Sequence, residues 1–235
     1  FDDQAETVAE TDPNDPVENP GFRQPLILAQ PRGVTASPGS VVTLNVQARS
    51  PGPNLLHNSN FEQGMDSWDA NGGQIESVPG GYASETAMRI ASSGGYARLR
   101  YVPPITMDPG VTYLAIAEAR GDYQPSNHAF ELWDKPWSGS ITMGYLELPR
   151  TERQNNGIRW SEIRTLLTSE APAAGNLNLL YYGPYEETSE VVDLVQWRRC
   201  GTEGLSYQWR HNGEDIPGAN GPELQLTDLQ PAQAG

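Results

Sequence analysis

The chain has 235 residues, with 15 basic against 30 acidic side chains for a formal net charge of -15, and 37% of its residues are hydrophobic. Nucleic-acid binding rests on clustered Lys and Arg, so this balance argues against DNA or RNA as a partner, and no stretch approaches the ~18 apolar residues of a membrane span. The abundance of glycine and proline (Gly 24, Pro 20) favours short strands joined by turns over long helices. A single cysteine, Cys200, excludes an intrachain disulfide and any CxxC metal or redox motif, and it reads as a small buried apolar residue. Lys135 is the only lysine.

Residues 1–24 begin as an acidic arm. Asp2, Asp3, Glu6, Glu10, Asp12, Asp15 and Glu18 fall in the first twenty positions with no base among them. So few apolar residues cannot form a core, and the arm is expected to order only against another surface. Residues 25–50 change character. The apolar run PLILAQP leads to a Ser37-Pro38-Gly39 turn, and then Val42, Leu44 and Val46 alternate with Thr43, Asn45 and Gln47. That period of two predicts a strand with one face buried and one wet.

From Asn54 to about Arg199 the chain is a succession of short strand-like runs: 96–102, 111–120, 128–134, 141–148, 176–182 and 190–197. Gly, Pro and Asn punctuate them, and no long 3.6-period stretch intervenes. This pattern predicts an all-β antiparallel sandwich or barrel. In the last segment Leu205, Tyr207 and Trp209 alternate toward an Asn212-Gly213 turn, and ELQLTDL supplies one more strand.

The pieces PLILAQP, SPGS, VTLNVQA, LSYQWRHNGEDIPGAN and LQLTDLQPAQAG resemble a bacterial immunoglobulin-like domain. The resemblance implies that Trp209 is its core tryptophan and that about 150 residues interrupt it between its second and third strands. It also implies two further strands after Gly235, so the domain is incomplete. The interrupting segment opens with NLLHNSNFEQGMDSWDANGG and closes with EVVDLVQW, and it resembles a carbohydrate-binding module of the family 4 and 9 jelly-roll type. The expected fold is therefore an all-β jelly-roll β-sandwich, of the galactose-binding-like kind, inserted into an incomplete immunoglobulin-like β-sandwich. The expected divisions are an arm at 1–24, the split domain at 25–50 and 201–235, and the jelly roll at 51–200. First and last strands of a jelly roll lie side by side, so its ends emerge together and a loop can host it.

Glycan recognition needs flat rings for sugar C–H faces and polar groups for hydroxyls. Trp133 and Trp137, around the Trp-Asp-Lys-Pro-Trp turn, and Tyr123 in the preceding loop are the candidate rings. Strand alternation puts Glu131 on the face of Trp133, opposite Phe130 and Leu132. Glu118 and Arg120 share a face opposite Ala115, Ala117 and Ala119. These six residues form the candidate carbohydrate site, with ordinary solvated strand faces as the alternative. The resemblance also implies a structural Ca2+ where first and last strands meet, for which Glu62 and Asp193 are the matching ligands. A charge pair or capping contact would use the same residues. Catalysis finds little support: His57, His128 and His211 lie in unrelated contexts, and neither HExxH nor GxSxG occurs. The expectation is a non-enzymatic extracellular or cell-surface region that binds a polysaccharide or other glycan. The alternative is a structural subunit that self-assembles into an extracellular filament, sheath or adhesive array through the arm and the incomplete domain.

Overall fold

The computed structural model describes residues 25–82, 84–92, 95, 97–120, 128–133, 140–145, 151–155, 158–181 and 188–230. Their regular structure is entirely β, as the composition and strand periodicity predict. Among them no helix is long and apolar enough to cross a membrane. The chain divides into two compact units: Gly52–Cys200 belongs to one, and Arg23–Pro51 with Gly201–Gly235 makes the other.

The first unit is a jelly-roll β-sandwich of two antiparallel sheets. In one sheet the strands run in the order β3 (Gln47–Asn54), β15 (Thr188–Gly201), β9 (Thr112–Arg120), β13 (Ile158–Thr168) and β12 (Thr151–Asn155). The other flank of β15 also pairs with β6 (Thr86–Ser92), which pairs with β5 (Gln74–Pro79). The second sheet has the order β11 (Ser140–Tyr145), β10 (His128–Trp133), β14 (Ala173–Tyr181), β7 (Ala97–Tyr101) and β4 (Trp68–Ala70), with β8 (Ile105–Met107) beside β14. From β9 onward the chain crosses repeatedly between the sheets, so each contributes alternate residues to one shared core.

That core follows from the alternation. Ala115, Ala117 and Ala119 of β9 face inward with Val192, Val195 and Trp197 of β15. From the second sheet come Leu99, Phe130, Leu132, Leu177 and Leu179. The alanines leave room for the large rings, and Trp197 stacks on Tyr113 at 5.1 Å with 14° between the planes. Trp68 sits between Phe61 and Tyr101 in edge contacts at 5.2 and 5.1 Å, and its indole N–H donates to the Asn58 carbonyl at 2.9 Å. Cys200 is buried.

β15 is not a regular strand. Asp193 pairs with Glu118 and Gln196 with Ile116, so three steps on β15 match two on β9. This is a β-bulge, and Leu194 within it has a φ of 48°, unusual for a bulky side chain. The bulge switches parity: Val192 faces the core before it, and Val195 and Trp197 do so after it.

In the second unit β1 (Leu26–Ala29) pairs with the first residues of β3, and β2 (Val42–Asn45) pairs with β18 (Glu223–Leu226). A tight hairpin joins β16 (Arg210–His211) to β17 (Glu214–Asp215), and its Asn212 and Gly213 both have positive φ, 50° and 86°. These values match the type I′ turn expected of Asn-Gly. The strand expected over Leu205–Trp209 does not form. Side-chain exposure still alternates there, but among the described residues the stretch has no ladder partner. Strands β4, β5, β6, β8 and β12 and the eleven-residue β13 are additional to the expected runs.

Replacing Trp197 with Ala removes one of the two tryptophan rings of the sandwich core. It should cost about 3–5 kcal/mol, the usual range for a buried aromatic. Urea denaturation followed by far-ultraviolet circular dichroism checks this, and a loss below ~1 kcal/mol would contradict the assigned core.

Candidate functional site

The outward face of the second sheet carries a polar row that crosses β10, β14, β7 and β4. Register pairs Glu131 with Asn178, Asn178 with Arg100, and Arg100 with Asp69. Flanking core residues Phe130, Leu132, Leu177, Leu179 and Leu99 point the other way. With a strand spacing of ~4.8 Å the row spans ~14 Å.

Its centre is dry. Asn178 is 0% exposed, and Glu131 and Arg98 are 7% and 8% exposed. Arg98 Nε donates to Glu131 Oε2 at 2.9 Å, so each buried charge has a partner. Asn178 donates from Nδ2 to the Asn176 carbonyl at 2.9 Å, whereas its Oδ1 is buried with no hydrogen-bond partner. Toward β4 the row opens. Arg100 makes a two-point contact with Asp69, Nε to Oδ1 at 2.7 Å and Nη2 to Oδ2, and both side chains are about one-third exposed. The Asp69 hydrogen bonds raise the Arg100 guanidinium above its usual range. Asn176 donates to the carbonyls of Tyr101 and Val102 at 3.2 and 2.5 Å.

The structure separates the six sequence-predicted carbohydrate residues. Glu131 lies in the row. The backbone register sets Trp133 opposite Asn176 and Ser140, two residues along β10 from Glu131. Glu118 and Arg120 belong to the other sheet, on its outward face, with the sandwich core between them and Glu131. Glu118 is 0% exposed there, in register between Asp193 and Glu162. The Arg120 guanidinium covers the ring of Trp160 at 4.9 Å, and Tyr82 meets that ring edge-on at 5.8 Å. This sheet face is thus filled by its own side chains. Trp137 and Tyr123 lie outside the described residues. Sequence reasoning missed Asp69, Arg98, Arg100, Asn176 and Asn178. The alternation in ARLRY and NLNLL was a usable signal for the last four, because it sets polar residues on one face and leucines on the other.

Glu62 and Asp193 both close on the segment 81–86. Asp193, itself buried, accepts from the Tyr82 N–H and the Ser84 hydroxyl at 2.7 Å each through Oδ2, and from the Leu194 N–H at 2.8 Å through Oδ1. Glu62 Oε1 accepts from the Thr86 N–H and hydroxyl at 2.9 and 3.1 Å. Asp193 Oδ2, Ser84 Oγ and the Thr86 carbonyl all come within 3 Å of where a Cβ would stand on Gly81. The three oxygens crowd Gly81 so closely that a side chain there would clash, and the Ser84 hydroxyl lies 2.8 Å from the Thr86 carbonyl as well as 2.7 Å from Asp193 Oδ2. Among the described residues no group of three or more His, Cys, Asp or Glu side chains is arranged to hold a metal. Any cation here would need the carbonyl and hydroxyl oxygens as well, a donor set that suits a hard ion such as Ca2+.

No family model matches the chain, and no curated protein matches it. Among solved structures it is similar to TmCBM61 in complex with β-1,4-galactotriose, at 16% identity and a TM-score of 0.42, covering 63% of this chain and 99% of that one. It is similar to a family 16 carbohydrate-binding module at 17% identity and a TM-score of 0.42, over 61% and 99% of the two chains. A third is the CBM22-1 xylan-binding domain from Paenibacillus barcinonensis Xyn10C, at 12% and 0.40, over 70% and 97%. Likeness at this level carries no argument about what this chain binds.

The Arg98–Glu131 pair tests the description of the row's centre. Arg98→Met alone should destabilise by about 3–5 kcal/mol, because it strands a buried carboxylate. Adding Glu131→Leu should recover most of that loss in a urea melt, whereas additive losses would show that the two charges do not depend on each other.

Proposed function

We propose that the first unit is a non-catalytic glycan-binding module and that its binding face is the polar row of the second sheet. The observation that carries this reading is the Arg100–Asp69 end of the row. There a fixed guanidinium–carboxylate pair, each side chain about one-third exposed, stands at the point where the face opens. Sugar hydroxyls are donors and acceptors at once, so they can give a hydrogen bond to the Asp69 carboxylate and take one from the Arg100 guanidinium. The pairing holds these groups in place before a ligand arrives, which lowers the ordering cost of binding. Trp133, two register positions along β10, is the stacking ring this reading assigns.

The charge pattern favours a neutral glycan. Arg98 and Arg100 are each neutralised by a carboxylate, and the chain carries a net -15, so polyuronates and sulfated chains would be repelled. A glycan ligand suits an extracellular or cell-surface setting. The reading assigns no bond-breaking step. It includes a structural Ca2+ held by Glu62 and Asp193 with carbonyl oxygens of the adjoining segment, which would fix the loop at 81–86 against β15.

Affinity electrophoresis of the intact chain in gels carrying neutral polysaccharides tests the binding face. Retardation is expected in at least one of xylan, β-glucan, galactan or mannan. Arg100→Met and Asp69→Ala should each weaken it about tenfold or more, equivalent to ~1.4 kcal/mol, while Arg120→Met on the other sheet leaves it unchanged. No retardation in any of these gels, or equal effects from both sheets, would overturn the reading.

The cation is tested by thermal melting. The midpoint should rise in millimolar Ca2+ relative to chelator, and Glu62→Gln should abolish the difference. An identical melt with and without Ca2+ removes the metal from the account and leaves Asp193 as a loop cap.

A further inference from the structure

The chain holds four Asn-Gly pairs, at 71–72, 156–157, 212–213 and 220–221. Asparagine is a thermolabile residue, and a following glycine has no side chain to shield its backbone nitrogen from the asparagine amide carbon. Whether a given pair reacts depends on how firmly its backbone is held. Asn156 and Gly157 lie outside the described residues.

Two of the other three pairs are clamped. The Asn71 N–H donates to the Arg98 carbonyl at 3.0 Å, and the Gly72 carbonyl accepts from the Arg98 N–H at 3.3 Å. Next to them Gly73 lies so close to Ala91 and Ala97 that a Cβ would not fit. At 220–221 the Gly221 carbonyl holds the Trp209 indole N–H at 2.9 Å, and the adjoining Ala219 carbonyl holds the Trp209 backbone N–H at 3.0 Å. Cyclisation at either pair would break these bonds.

Asn212 and Gly213 are placed differently. They form the tip of the β16–β17 hairpin, whose ladder has only two residue pairs, Arg210 with Asp215 and His211 with Glu214. Both tip residues are exposed, and nothing lies within 4 Å of where a Cβ would stand on Gly213. So short a ladder opens locally at a cost far below that of unfolding the chain. The Asn212 amide nitrogen also stands 3.4 Å from His211 Nε2. A protonated imidazole in that position can give its proton to the amide nitrogen as it leaves.

We infer that Asn212 is a self-modification site, converted to aspartate and isoaspartate with His211 assisting the departure of the amide. The Gly213 nitrogen bonds to Asn212 Cγ and loses its proton to solvent. The Cγ–Nδ2 bond breaks, and Nδ2 leaves as ammonia with the proton of His211, which regains one from solvent. Water then opens the cyclic imide at one carbonyl or the other. Water enters, ammonia departs, and nothing is oxidised or reduced. Opening at the backbone carbonyl leaves an isoaspartyl link one carbon longer. The two-residue turn, with φ of 50° and 86° at Asn212 and Gly213, has no place for that extra carbon. This inference is independent of the glycan reading, which concerns the other unit.

The intact chain is aged at neutral pH and physiological temperature, digested, and its peptides are read by mass spectrometry with electron-transfer fragmentation, which separates aspartyl from isoaspartyl links. Products at Asn212 should accumulate about tenfold faster than at Asn71 or Asn220. His211→Gln should slow the reaction at Asn212 severalfold and leave the other two positions unchanged. In denaturant the three rates should converge. Equal rates in the folded chain overturn the inference, and so does a lead for Asn212 that persists in denaturant, because local sequence then accounts for it. An unchanged rate in His211→Gln overturns the assistance assigned to the imidazole.

Discussion

The pairing of β3 with β15 is the constraint on which the sandwich depends. These strands lie at the two ends of a unit of some 150 residues, and their contact closes it. The Leu55 N–H donates to the Trp197 carbonyl at 2.9 Å, the Trp197 N–H to Asn54 Oδ1 at 3.0 Å, and Arg198 Nη1 to the Gly52 carbonyl at 2.7 Å. Arg198 is fully buried in making this contact, with its Nε on Gln196 Oε1 at 2.7 Å. A guanidinium placed there without both acceptors would carry a large desolvation penalty. The register of the closing strand is thereby fixed, and with it the position of the bulge one turn of sequence earlier. The bulge in turn sets Asp193 outward onto the 81–86 segment and Val195 and Trp197 inward onto the core.

Burial and charge divide the labour between the two outward faces. On the first sheet Trp160, Tyr82 and Arg120 fill the surface with their own rings and guanidinium, and Val78 and Ala87 pack beneath them. On the second sheet a row of amides, guanidiniums and carboxylates occupies the equivalent position, buried at the centre and open toward β4. The same alternation of side chains produced both faces. Their different residue types decide that one is an added layer of core and the other a surface able to exchange hydrogen bonds with a ligand.

Much of this was legible in the sequence because most strands bury one face. The alternation in VTYLAIAEAR and HAFELWD gave both the strands and the inward direction of Ala115, Ala117, Phe130 and Leu132. Two things were not legible. Glu118 and Glu131 look alike in sequence, each a lone acid on an apolar strand, and only the sheet assignment separates them. That assignment depends on long-range pairing that local pattern does not encode. The bulge was half visible: no single parity puts Val192, Val195 and Trp197 on one side, yet a straight strand was the simpler reading of EVVDLVQW. In the second unit the reading of Leu205–Trp209 as a strand failed for a related reason. Alternation predicts which side chains turn inward, but a strand also needs a partner for its backbone.

The central claim is that the second sheet, and not the first, meets a glycan. Amide and side-chain chemical shifts of the intact chain, recorded with and without oligosaccharides from the polysaccharide it retains best, test it most directly. The account predicts saturable changes at Asp69, Arg100, Glu131 and Asn178, including the Asn178 side-chain amide, with Glu118, Glu162 and Trp160 unmoved. Changes centred on Glu118, Trp160 and Arg120, or confined to the second unit, would contradict it.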